Sequence, residues 1–269
     1  MLPGKVCIKL PPMSEILGDP LSTFVTVLGW QLAWILATWS LSRLGDAVTR
    51  APLLDLVVSM FTWVPWIVSF VFGSWTALGI CIVTQILSIE IFSLTHATLH
   101  RRKGPTIRQA LNRVVGPLRN HSGLLVTLMI LPILWIIRLG QVTVYPLQVW
   151  GLGFPWYTHS KWVNVNRQKF EGLVGHDLIW CLYCEWVLSI YSLGAEMIRN
   201  NESWWCPIQF HDSEKCRNCV QDFPDIATWT QATGSMQDVH DLLTSRYCPK
   251  KKPRAWTGYR PSHPKDDKA

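Results

Sequence analysis

Between Leu21 and Leu99 the chain carries only five charged side chains: Arg43, Asp46, Arg50, Asp55 and Glu90. A bilayer-spanning helix needs about 20 mostly apolar residues. Lipid offers the backbone no hydrogen-bond partner, so such a run must satisfy its own N–H and C=O groups and fold as helix. Leu21–Leu41 supplies one span. Leu53–Leu94 is twice that length, which predicts two helices with a tight turn near Phe72-Gly73-Ser74-Trp75 and a kink at Pro65. Gly123–Ile137 begins a fourth apolar helix, bent at Pro132, with Arg138 snorkelling at its end. Gln141–Trp156 carries Pro146, Gly151, Gly153 and Pro155 and reads as an interfacial or re-entrant stretch. Tryptophans at the segment ends fit an aromatic belt.

The net charge of +7 is uneven. Residues 1–156 hold 11 Lys/Arg against 5 Asp/Glu, and the remainder holds 14 against 13. A basic excess at membrane ends is a topology signal. No stacking module or basic recognition helix argues for nucleic acid. The loop 100–122 concentrates the excess, with Arg101, Arg102, Lys103, Arg108, Arg113 and Arg119 and no acid, which predicts a cytoplasmic location. Within it, Pro105–Val115 predicts a short amphipathic helix, opened by Gly104-Pro105 and closed by Gly116-Pro117. Ile107, Leu111, Val114 and Val115 fall on one face, as in a helix lying on a membrane surface.

A fifth segment, 172–198, carries Glu185 in its middle. A central acid costs roughly 2.5–3.5 kcal/mol on insertion scales. The Leu, Ile and Val residues around it return about 0.3–0.6 kcal/mol each, so spanning and interfacial placement balance. The expected architecture is an all-α membrane protein with four to five transmembrane helices and a small, mostly helical Cys/His-rich C-terminal domain. Its expected parts are 1–20 outside the membrane, a bundle over 21–156, the Cys/His-rich domain over 157–247 and a basic tail over 248–269.

Three constellations could carry chemistry. Cys206, His211, Cys216 and Cys219 fall within fourteen residues and could close a tetrahedral site for zinc or iron. The same thiols would form disulfides in an oxidising compartment. On a helix, Asp177, Cys181, Cys184 and Glu185 form one stripe, and Cys181 with Cys184 could be a redox or cofactor-binding pair. His96 and His100 are one helical turn apart, a spacing used by metal pairs. That spacing is also found in the first histidine box of membrane fatty-acid desaturases and hydroxylases. Those enzymes need several further boxes, and none of the eight histidines here is adjacent to another. Glu90, embedded in the apolar run, needs a partner such as Arg43 or Arg50.

Three functions follow as expectations. The first is a metal or redox module serving as electron-transfer or assembly partner of a membrane complex. The second is a membrane-embedded enzyme on a lipid or isoprenoid-like substrate, using His96, His100, Glu90, His176 and Asp177. The third is a disulfide-stapled interaction protein.

Overall fold

The computed structural model describes residues 12–100, 104–211, 223 and 226–247. The described residues are helical, with no strand among them. They form two compact units interleaved in sequence. Four helical segments are long and apolar enough to cross a membrane: Pro20–Ser42, Trp75–Leu99, Pro117–Leu152 and His176–Trp205. A bent pair of shorter helices makes a fifth if it counts as one span. The basic tail, 248–269, lies outside the described residues, as do Arg101, Arg102 and Lys103.

The first unit contains the described residues up to Pro117 together with Asn164–Cys184. A short helix, α1 (Met13–Ile16), leads into α2 (Pro20–Leu44). Asp19 caps α2 by accepting from Ser22 N at 2.8 Å, and Pro20 opens its first turn. The predicted pair over Leu53–Leu94 appears as α3 (Leu53–Phe61) and α4 (Trp63–Phe72), bent by 49°, followed by α5 (Trp75–Leu99). Pro65 accounts for the break. It has no N–H for the Phe61 carbonyl one turn back. Gln85 of α5 takes over that carbonyl and the next, donating Nε2 to Phe61 O at 3.0 Å and Thr62 O at 3.1 Å. Trp66 Nε1 closes the group by donating to Gln85 Oε1. The turn at Gly73 admits no side chain, since a Cβ there would lie 2.8 Å from Leu17 O.

Hydroxyls within these apolar helices turn back on their own backbone. Thr84 donates to Ile80 O at 2.7 Å and Ser88 to Thr84 O at 2.8 Å, so neither group presents an unmet donor to lipid. The predicted short amphipathic helix is α6 (Ile107–Val115), closed by Gly116 at φ +86°.

The second unit contains Leu118–Val163 and the described residues from Glu185 onward. Helix α7 (Pro117–Leu128) passes through a turn into α8 (Leu131–Leu152). Here the structure corrects the sequence reading: Gln141–Leu152 is helix, and irregular chain starts only at Gly153, φ +74°. Side chains hold this stretch in place across Pro146. Gln141 Nε2 donates to Ile190 O at 2.8 Å, Tyr145 OH to Pro155 O at 3.0 Å, and Gln148 Nε2 to Asn201 Oδ1 at 2.7 Å. A single-turn helix, α9 (His159–Trp162), precedes the long α10 (His176–Trp205), which begins four residues later than expected and runs seven further. Trp135 meets Trp186, Gln141 meets Ile190 and Gln148 meets Asn201, so α8 and α10 run parallel. The last described helix is α11 (Met236–Tyr247).

Candidate functional site

The last turns of α5 and the start of α10 gather residues that are 79 to 86 positions apart in sequence. Gly175 makes the junction. Its φ of +59° is open to glycine without strain, and a Cβ there would sit 2.8 Å from Ser93 O and 3.3 Å from the Ala97 methyl. The backbone of α10 can therefore start against α5. One residue on, His176 Nε2 lies 3.0 Å from Glu90 Oε2. The side chains of both are reachable, at 21% and 49% exposure. This pairing takes the place of the one expected between Glu90 and Arg50, which bonds Asp46 at 3.3 Å; the side chain of Arg43 lies outside the described residues.

His96 Nδ1 accepts from Gly175 N at 3.3 Å, so its ring proton belongs on Nε2. His100 stacks on His96 with centroids 4.1 Å apart and planes 16° from parallel. Its Nδ1 lies 3.2 Å from His96 O. Stacked rings direct their in-plane lone pairs side by side, whereas a chelating pair needs them to converge on one point. Asp177 has a different task from the one sequence suggested. Its Oδ2 accepts from Ile107 N at 2.8 Å and its Oδ1 from Arg108 N at 3.3 Å, which makes it a long-range cap of α6. Of the five residues singled out for acid–base work, Glu90 and His176 form a dyad, His96 and His100 flank the junction, and Asp177 is structural.

The cysteine reading meets a sparser arrangement. Among the described residues no three His, Cys, Asp or Glu side chains gather as a metal site would require. Cys181 is half-buried, and Cys184 and Cys206 are exposed; all three are free thiols. His211 is exposed. Cys216 and Cys219, the other two ligands expected in that set, lie outside the described residues, as does Cys248.

The second unit holds a polar group that the sequence reading passed over. Trp186, Ile190, Leu193, Glu196, Asn200 and Ser203 form one buried stripe of α10, apolar in its first half and polar in its second. Glu196 pairs with Arg199 and accepts from Tyr157 OH at 3.2 Å. Asn200 Nδ2 donates to Tyr157 OH at 2.7 Å and Tyr145 OH at 3.0 Å. On α8, the buried Arg138 donates to Gln141 Oε1 at 2.8 Å and lies 2.9 Å from His159 Nδ1, where snorkelling had been expected. The signal was present in the sequence as polar residues at i, i+4 and i+7 in 196, 200 and 203. Comparison of the chain with protein-family models, curated proteins and solved structures gives no match.

Proposed function

We propose that this is an integral membrane protein acting as an enzyme on a lipid or isoprenoid-like substrate, with its working site where α5 meets α10. The observation that carries this reading is the 3.0 Å contact between His176 Nε2 and Glu90 Oε2, on an apolar helix and open to an incoming molecule. An ionisable group within an apolar helix is expensive unless it has work to do. A carboxylate that fixes an imidazole by one nitrogen presents the other for proton transfer, the arrangement general acid–base catalysis uses. In this reading His176 moves the proton, Glu90 orients it, and His96 and His100 line the approach. In this reading the loop 100–122 is cytoplasmic, supported by its excess of Lys and Arg.

The test is a lipid mass-spectrometric comparison of membranes containing the wild-type protein, His176→Gln or Glu90→Gln. A lipid conversion seen with the wild type and lost in both variants, at equal protein levels, supports the reading. Identical lipid profiles across all three would remove it.

A second reading keeps the tail as a metal or redox module of a membrane complex, with zinc or iron as cofactor. It is favoured by the exposed, unbridged Cys206 directly after α10, followed by the exposed His211. Cys216 and Cys219 would complete the ligand set, and Cys181 with Cys184 would supply a redox pair. Stoichiometric metal in the purified protein, lost in Cys216→Ser/Cys219→Ser, supports it; undiminished metal in that variant overturns it.

A further inference from the structure

Helix α6 has its amphipathic arc turned away from the protein. Ile107, Leu111, Val114 and Val115 occupy one side and are 49%, 43%, 79% and 45% exposed. No residue of α6 is buried. An amphipathic helix in a globular protein turns its apolar arc toward the core, so an outward arc needs cover from elsewhere.

The N-terminus of α6 is already complete. Thr106 N donates to Gln109 Oε1 at 3.0 Å, and Gln109 N to Thr106 Oγ1 at 3.0 Å. Asp177 takes the two amides between them. The helix end therefore has no donor left for a phosphate, and any anion must be held by side chains. Arg108 and Arg113 flank the apolar arc. Neither guanidinium group has a carboxylate partner among the described residues. The apolar segment Trp75–Leu99, long enough to span, leads into this stretch, so it emerges where a bilayer surface would lie.

We propose that α6 lies in the bilayer surface with its apolar arc in the acyl boundary, and that Arg108 and Arg113 bind anionic lipid headgroups. The chemistry fits on both counts: an uncovered apolar arc for the chains and unneutralised cations at its borders for the phosphates. This inference does not depend on the reaction assigned to His176.

The test uses the full-length protein in lipid nanodiscs, followed by hydrogen–deuterium exchange of the peptide covering 107–116. Discs of phosphatidylglycerol should slow exchange relative to discs of phosphatidylcholine, by about fivefold for each arginine engaged. The difference should disappear in Arg108→Gln/Arg113→Gln. It should survive in the matching double Lys variant, because a headgroup on a surface reads charge. Equal exchange in both lipids overturns the proposal, as does an anionic-lipid effect that persists in the Gln variant. Slowed exchange in phosphatidylcholine discs on adding soluble glycerol phosphate also overturns it, since that marks a site for free phosphate.

Discussion

The cap that Asp177 places on α6 joins residues 70 positions apart, and its removal should loosen α6 while leaving the neighbouring span intact. Asp177→Ala deletes two acceptors from the first two amides of α6, one at 2.8 Å and one at a longer 3.3 Å. A hydrogen bond to a charged group contributes about 1.5–3 kcal/mol. Cap substitutions cost about 0.5–2 kcal/mol, and a carboxylate at a helix N-terminus adds about 0.3–1 kcal/mol through the dipole. With one bond short and one long, and with Thr106 and Gln109 still capping locally, we take about 2 kcal/mol for the pair. That is roughly a 30-fold shift in local opening, at tenfold per 1.4 kcal/mol. Amide exchange should speed up by about that factor across 107–115, with residues 80–90 of α5 unchanged. Asp177→Asn keeps one accepting oxygen without the charge and should fall between, at roughly fivefold. Wild-type exchange over 107–115 in Asp177→Ala would refute the reasoning, because it would mean that these bonds do not hold α6 to α10.

Three further outcomes are expected. Gly175→Ala forces a left-handed backbone on a residue with a side chain, at roughly 1–2 kcal/mol, and drives its methyl against Ser93 O; His176 should lose its contact with Glu90, read as loss of the coupling between Glu90→Gln and His176→Gln in a double-mutant cycle. Asn200→Leu removes two bonds to tyrosine hydroxyls and should cost about 1–3 kcal/mol in an unfolding titration. Tyr145→Phe should cost less in that background than alone, and strict additivity would refute the shared network. Outside the membrane segments, the hydrogen bond and charge of Lys169 hold the Asp46 carboxyl below its ordinary value of 3.8. A depressed carboxylate stabilises above its unfolded value, so any deficit of Asp46→Asn should be present at neutral pH and shrink as pH falls below 3.8. Because the pair is exposed, the deficit should also shrink in high salt; a deficit that grows on acidification would contradict the assignment.

The apolar runs were legible because transfer to lipid sums residue by residue along a chain, whatever the partners. Turn chemistry was legible for a similar reason. Gly73, Gly104-Pro105 and Gly116-Pro117 act on their own backbone, and the helices end within a few residues of them. Pro146 shows the limit of that local rule. A proline removes one hydrogen bond, but Gln141, Tyr145 and Gln148 bind across to other chain segments and hold the helix to Leu152. Pairing partners were not legible, since periodicity reports which residues share a face and nothing about what the face meets. Glu90 was recognised as needing a partner, yet His176 lies 86 residues away and arrives only because Gly175 lets two backbones touch.

Helix α10 puts the same point as a choice between two stripes of equal spacing. Asp177, Cys181, Cys184 and Glu185 stood out in sequence because thiols and acids are rare among apolar residues. Glu196, Asn200 and Ser203 follow the same spacing and drew no attention. Burial separates the two sets except at Asp177, which is buried as the cap of α6. Cys184 is exposed, on the line that continues through Leu188 at 59%, Ile198 at 67% and Trp205 at 68% exposure. Asn200 and Ser203 are wholly buried, and Glu196 is 1% exposed. A polar side chain on the outward line can meet solvent, lipid headgroups or another molecule without cost to the fold. One on the inward line must find its hydrogen bonds inside the protein, or its desolvation goes unrepaid. Glu196 and the Asn200 amide nitrogen find them, through Tyr145, Tyr157 and Arg199, whereas Ser203 Oγ and Asn200 Oδ1 are buried without a partner among the described residues. Chemical rarity therefore marked a stripe that mixes the exposed Cys184 with the buried cap Asp177, and the residues that fix the second unit were the ones whose types looked ordinary.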